Sequence, residues 1–306
     1  MTPSASHPFK SEKTRAEYQT LYHERAKAWP VASGTRLIET PSGQTFCRIS
    51  GRPADPPLVL LPGARSTSLT WIPNISALST HYRTYALDSI YDIGLSVSRQ
   101  KIKKPDDLVT WLDEVLAALV SKGSLRLMGL SYGGWLASLY ALRFPERVQK
   151  LVILTPAATV LPVSLTLIFR ALLTLLPFGN FRQKFYYWLL QDSVQSGETG
   201  QAFVDEAVAD WSTAERCFRR LPMVPATVLE DEVLHGFKVP TLFLVGENEK
   251  VYSAQSAVSR LNRVAPQIKT GIIPQAGHDL WFIQASLVNK MILDFLGEPE
   301  IGMSSS

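Results

Sequence analysis

The chain has 306 residues, 46% of them hydrophobic, and 31 Lys and Arg against 27 Asp and Glu give a formal charge of +4. That is enough apolar material for a substantial core in one large α/β domain or two ordinary ones, and it excludes a disordered or fibrous chain. The basic residues are scattered apart from Lys101-Ile102-Lys103-Lys104, a solvated loop by composition, so no nucleic-acid partner is expected.

The N-terminal segment Met1 to Lys10 lacks the apolar core of a secretory signal and is followed by a charge-rich stretch, which points to the cytoplasm. Cys47 and Cys217 are too few and too distant for a disulfide framework or a metal site and are expected to be reduced. Tyr18, Leu21, Tyr22, Ala26 and Trp29 recur near helical spacing, so Ser11 to Trp29 reads as an amphipathic helix stopped by Pro30. Arg36–Thr40 and Thr45–Ser50 flank the turn-rich Pro41-Ser42-Gly43-Gln44 and read as a hairpin of two edge strands.

Leu58 to Leu61 is a continuous apolar run, the pattern of a strand buried on both faces, and opens into Pro62-Gly63-Ala64-Arg65-Ser66. A helix over Leu69–Leu78, interrupted by Pro73, leads to a strand over Tyr82–Leu87. Lys104-Pro105-Asp106-Asp107 then starts a helix with the apolar stripe Leu108, Trp111, Leu112, Val115, Leu116 and Leu119. From Leu125 an apolar run feeds Gly129-Leu130-Ser131-Tyr132-Gly133-Gly134 and a helical pattern ending at Phe144. Strand, sharp turn and helix are the context that gives Gly-x-Ser-x-Gly its meaning: the glycines remove side chains where strand and helix approach, and the serine hydroxyl stands clear of the sheet.

Lys150–Leu154 supplies another buried strand, and the alternation of a parallel sheet with covering helices then stops. The stretch 157–237 is mostly helical and reads as a cap inserted over the sheet's active edge. Its apolar segment Leu161 to Pro177 holds Arg170 and is bounded by Pro162 and Pro177, too short for the ~20 residues of a membrane span. Its apolar residues are expected either to line a pocket mouth in part, favouring an uncharged, apolar substrate, or to pack wholly on the main domain. Strand–helix alternation resumes with Thr241–Val245, Ser253–Val264, Ile268–Ile273 and a last helix over Asp279–Leu296. The organisation is therefore an N-terminal helical arm (1–35), an α/β core (36–156 and 238–298), a helical cap (157–237) and a disordered tail (299–306).

A serine hydroxyl needs a base, and the base an acid to fix its tautomer. Of five histidines, only His278, in Gln275-Ala276-Gly277-His278, falls in a loop after a late strand, in the chain order Ser, acid, His. The acid is expected in Gly246-Glu247-Asn248-Glu249-Lys250, where both Glu247 and Glu249 qualify. Backbone N–H groups of Tyr132, at a helix N-terminus, and Ala64, freed by Gly63 to approach a substrate, are the candidates for an oxyanion hole. No metal or cofactor is required, and the base implies a pH–rate profile rising near the imidazole value, roughly 6 to 7.

Together these residues resemble the α/β-hydrolase fold superfamily, in particular bacterial carboxylesterase-like serine hydrolases, over nearly the whole chain. Leu60-Leu61-Pro62-Gly63-Ala64 is similar to the family's oxyanion loop, Leu244 to Glu249 to its acid loop, Gln275 to His278 to its histidine loop, and Phe144-Pro145-Glu146-Arg147-Val148 to the link after the elbow helix. The resemblance implies an α/β fold with a mostly parallel sheet and a triad of Ser131, His278 and Glu249, the last where the family often carries Asp. Pro62 stands where the family often carries His. The implied activity is hydrolysis of small carboxylic esters through an acyl-enzyme. Carbon–carbon bond hydrolysis, acyl transfer and a non-catalytic binding role remain as alternatives, because fold does not dictate reaction.

Overall fold

The computed structural model describes residues 8–120, 123–176, 179–219 and 223–298; the tail expected to be disordered, 299–306, lies outside them. Helix α1 (Glu12–Ala26) begins at a Ser11 cap whose side chain accepts from the Thr14 N–H. Strands β1 (Ser33–Thr40) and β2 (Gly43–Ser50) form an antiparallel hairpin turning at Pro41 and Ser42, so the first strand starts inside the stretch assigned to the arm. Only β1 is an edge. On its far side β2 pairs antiparallel with β4 (Arg83–Leu87), and the short β5 (Val97–Ser98) adds to the other end of β2.

Between hairpin and β4 come β3 (Pro57–Leu61) and α2 (Ile72–Ser79), which accommodates Pro73 in its first turn, where a missing N–H costs nothing. Helix α3 (Pro105–Leu119), strand β6 (Leu125–Leu130), helix α4 (Tyr132–Arg143) and strand β7 (Val148–Leu154) follow. Among the described residues five helices then separate β7 from β8: α5 (Leu165–Leu173), α6 (Phe181–Leu189), α7 (Gln191–Gln195), α8 (Glu198–Cys217) and α9 (Asp231–His235). The chain closes with β8 (Thr241–Gly246), α10 (Ala254–Val264), β9 (Lys269–Ile273), α11 (Leu280–Ile283) and α12 (Ala285–Gly297). The final helix read from sequence is thus two helices. Gln284 leaves the helical region (φ −116°, ψ 34°), and the Trp281 carbonyl accepts from the buried Asn74 side chain.

The sheet runs in the order β1-β2-β4-β3-β6-β7-β8-β9, parallel from β4 onward. Because side chains alternate across a strand, each apolar run divides between two cores. Val59, Leu61, Leu127, Ile153 and Phe243 face the side covered by α3 and α4, where Trp111, Leu112, Trp135 and Tyr140 are fully buried. Leu58, Leu60, Met128, Val152 and Leu244 face the side holding Ile75, Leu78, Val288 and Ile292. This double coverage explains why the strands read as unbroken hydrophobic runs.

A third, smaller cluster joins Phe9, Tyr18 and Tyr22 of the N-terminal segment to Phe46 and Ile93 of the core and to Ala214, Cys217 and Phe218 of the insertion. Arg25 reinforces it through a forked contact with Asp210 and an ion pair with Glu206 at 2.8 Å. Lys10 donates to the Glu215 carbonyl at 2.8 Å, and Arg216 pairs with Glu17. Among the described residues no helix is long and apolar enough to cross a membrane.

Candidate active site

All the predicted site residues lie beyond the carboxyl ends of the parallel strands, in loops or, for Tyr132, at the start of α4, where an open α/β sheet presents its crevice. Ser131 follows β6 with φ 51° and ψ −115°, an unfavourable conformation for a residue with a Cβ. The close packing of elbow and sheet imposes it. A Cβ on Gly129 would sit 2.3 Å from the Gly133 carbonyl oxygen, and one on Gly133 would sit 2.4 Å from the Pro62 carbonyl oxygen. The Ser131 amide donates to the Leu154 carbonyl of β7 at 2.9 Å, and the amides of Gly134, Trp135 and Ala157 converge on its own carbonyl. The turn is held from both sides.

His278 and Ser131 meet through Nε2 and Oγ at 3.0 Å. Both carboxylate oxygens of Glu249 lie 3.0 Å from His278 Nδ1. A carboxylate only accepts, so Nδ1 carries the proton, Nε2 is the acceptor and the Ser131 hydroxyl donates to it. The Glu249 side chain is fully buried, and it also accepts from the Lys250 N–H at 2.8 Å and the Val251 N–H at 2.9 Å. Burial pulls the His278 pKa down; the charge of Glu249 and the hydrogen bond to it, with a further contribution from Asp279, outweigh that and raise it above the ordinary histidine value. Glu247, the other glutamate of the loop, turns away and accepts from the Gln275 N–H at 3.1 Å.

Tyr132 opens α4, so its N–H has no acceptor within the helix. Ala64 follows Gly63, where an added Cβ would lie 3.4 Å from the Ser131 Cβ, so this loop touches the serine directly. Its course is fixed by Asp92, a fully buried carboxylate accepting from the Arg65 N–H at 2.6 Å and the Ile93 N–H at 2.8 Å. Burial raises the Asp92 pKa, and the Arg65 charge and these amides offset part of the rise.

Three neighbours escaped the sequence reading. Thr155, at the end of β7, donates its hydroxyl to Glu249 Oε2 and has its Oγ1 3.4 Å from His278 Nδ1. It is fully buried and has φ 41°, a costly conformation for a β-branched residue. Asp279 accepts from the Ser193 N–H at 2.8 Å and hydroxyl at 2.6 Å, tying the histidine loop to α7. Asp92 is the third. The only sequence signal for any of them is the adjacency of Asp279 to His278. The six non-glycine residues with positive φ among the described residues, Arg65, Ser131, Thr155, Ala158, Thr159 and Gln275, all follow carboxyl ends of β3, β6, β7 or β9. Backbone strain of this kind concentrates where side chains are held for chemistry.

Comparison with known proteins bears on the family. Residues 58–290 match the model of the alpha/beta hydrolase family. A Bacillus subtilis protein named as the uncharacterized carboxylesterase nap is 35% identical over 303 residues, covering 98% of each chain, and the carboxylesterase YbfK of the same organism is 30% identical over 289 residues, 94% of this chain and 96% of that one. The crystal structure of naproxen esterase (carboxylesterase NP) from Bacillus subtilis superposes with a TM-score of 0.83 at 33% identity, over 94% of this chain and 99% of that one. The serine turn, the order of strands and the near full-length likeness lead to one conclusion: this chain belongs to the alpha/beta hydrolase family.

Proposed function

We propose that the protein is a serine carboxylesterase acting on small esters through Ser131, His278 and Glu249. The observation that carries the reading is the unbroken hydrogen-bonded relay from the Ser131 hydroxyl through the imidazole to a buried carboxylate. As Ser131 Oγ attacks the ester carbonyl, its proton passes to His278 Nε2, and Glu249 stabilises the imidazolium. The carbonyl oxygen becomes an oxyanion facing the N–H groups of Ala64 and Tyr132. Collapse breaks the ester bond, His278 returns the proton to the departing alkoxide, and the acyl group stays on Ser131. Water, deprotonated by the same imidazole, then adds to the acyl carbonyl; the acid leaves and the serine recovers its proton.

The helical stretch 157–237 acts in this reading as a cap that selects the substrate. Its inward residues Leu161, Val163 and Leu167 pack against the cluster that holds Tyr132 and Tyr91, and Tyr132 donates to the Val224 carbonyl at 2.7 Å. These walls favour an uncharged, apolar acyl or alcohol group. Two buried free thiols, Cys47 and Cys217, suit a reducing compartment and support assignment to the cytoplasm.

Labelling with a fluorophosphonate, followed by peptide mapping, tests the assignment. Modification of Ser131, abolished in Ser131→Ala together with hydrolysis of a nitrophenyl ester, is expected. A folded Ser131→Ala protein that still turns over the ester would overturn it.

A further inference from the structure

Helix α5 carries its apolar side outward. Leu165 is 82% exposed, Phe169 64% and Leu172 58%, with Ile168 also exposed, and the turn after the helix adds Leu175 (65%) and Leu176. Spaced at three and four residues, they form one continuous stripe, larger than isolated surface leucines on an ordinary face. The sequence reading gave Leu165, Ile168, Leu172, Leu175 and Leu176 a place at a pocket mouth or packed on the main domain; all five are exposed, whereas Leu161 and Leu167 of the same segment do pack inward.

Charge identifies what the stripe meets. From Ala157 to Gln191 the chain carries Arg170, Arg182 and Lys184 and no Asp or Glu, although acidic residues are frequent elsewhere. Beside α5 a recess of about 510 Å³ is lined by Arg170, Asn180, Gln183, Lys184, Tyr187 and Trp188. Two cations and two amides offer donors to a phosphate, and no carboxylate among the described residues lines the recess, although the Tyr187 hydroxyl is given to Asp205 beside it. Arg182 is engaged by Glu215, whereas Arg170 and Lys184 have no carboxylate partner among the described residues. Arg170 lies over the Trp188 ring at 4.8 Å, which holds its guanidinium at the rim of the recess. An apolar strip entering acyl chains beside a donor-lined recess at headgroup depth is the arrangement of a helix that lies in a membrane interface.

We infer that the α5–α6 face is a docking surface for an anionic phospholipid membrane, with the stripe seated among acyl chains and the Arg170–Lys184 recess taking a headgroup phosphate. Docking there brings the membrane next to the candidate site. Ser164, the residue capping α5, donates its N–H to the Val251 carbonyl at 2.6 Å and its hydroxyl to the Lys250 carbonyl at 3.0 Å, on the loop that carries Glu249. An apolar ester dissolved in the bilayer then lies near the loop that carries Glu249.

Co-sedimentation of the full chain with vesicles tests this independently of the reaction proposed above. Vesicles of equal parts phosphatidylglycerol and phosphatidylcholine are expected to bind the protein well, and pure phosphatidylcholine at least tenfold less. Arg170→Gln and Lys184→Gln should each weaken anionic-vesicle binding about fivefold, which corresponds to ~1 kcal/mol for a cation near such a surface. Phe169→Ser combined with Leu172→Ser should reduce it further while leaving hydrolysis of a water-soluble acetate ester unchanged, which also shows that the variant folds. Equal binding to both vesicle types, or no binding by the wild type, overturns the inference without reference to any variant. Sedimentation velocity supplies the remaining arm: a dimer that the serine substitutions dissolve, in a protein indifferent to vesicles, would give this face to a second copy of the chain.

Discussion

Replacing Glu249 by Gln removes one negative charge while preserving shape, and its cost can be worked from the geometry. Both carboxylate oxygens lie 3.0 Å from His278 Nδ1 in a fully buried position. Unit charges about 3 Å apart at an effective dielectric of about 20 attract by roughly 5.5 kcal/mol. At ~1.4 kcal/mol per tenfold change, losing that support for the imidazolium slows turnover by about four orders of magnitude. The same size of effect, roughly ten-thousandfold, accompanies an acid-to-amide change in a serine protease triad, where the wrong imidazole tautomer prevails. The amide can also donate to Nδ1, which would leave the proton on Nε2 and no acceptor facing Ser131. Steady-state kcat on a nitrophenyl ester, with circular dichroism as the folding control, measures the loss. Glu247→Gln should change kcat by less than about threefold, because that side chain serves only the Gln275 amide. The reasoning fails if Glu249→Gln keeps more than about a tenth of wild-type kcat, or if Glu247→Gln is the worse of the two.

The rising limb of kcat/KM against pH should lie above the ordinary histidine value of about 6.5, since the imidazole must be neutral to accept the Ser131 proton and Glu249 holds its proton on to higher pH; a midpoint at or below that value refutes the coupling. Glu249→Gln should move the limb downward, because the charge of Glu249 is lost and only the smaller contribution of Asp279 still opposes burial. Thr155→Val keeps the β-branched shape but deletes the hydroxyl given to Glu249; losing a hydrogen bond to a charged group costs about 1.5–3 kcal/mol, so kcat/KM should fall roughly tenfold or more, with Thr155→Ser restoring most of it. Equal activity in Thr155→Val and wild type would remove that role. Gly133→Ala would place a Cβ 2.4 Å from the Pro62 carbonyl oxygen and 2.6 Å from that of Leu61. A loss of about 1–3 kcal/mol in urea unfolding, accompanied by loss of activity, is expected; unchanged stability would show that the elbow tolerates more space than the geometry allows.

The parts legible in the sequence are those written in short-range pattern. Leu58–Leu61 and Thr241–Val245 announce buried strands because a strand covered on both faces has no polar alternate. Ser131 is legible because its turn demands glycine at fixed offsets. His278 is legible by elimination and chain order. What sequence does not display is contact between distant residues. Thr155 reaches Glu249 across 94 positions and Asp279 reaches Ser193 across 86, with no spacing rule connecting either pair. Glu247 and Glu249 are indistinguishable by composition and separate only when loop geometry turns one toward His278 and the other toward Gln275. The interior place of β2 was equally hidden, since alternation predicts a strand but not its neighbours. The break at Gln284 lies inside a run whose periodicity continues on both sides.

The cluster joining α1 to α8 bears on the order in which the molecule assembles. Arg25 meets Asp210 across 185 positions, and Lys10 meets the Glu215 carbonyl across 205. Closing so long a loop costs chain entropy before any contact repays it. Helix α1, made before α8, therefore waits for α8 to be synthesised and positioned before Tyr18 and Phe9 meet Phe218. Tyr22 can meet Phe46 and Asp88 much earlier, but Phe9 and Tyr18 lack their Phe218 partner until α8 has been made, so this part of the N-terminal segment takes its final place late.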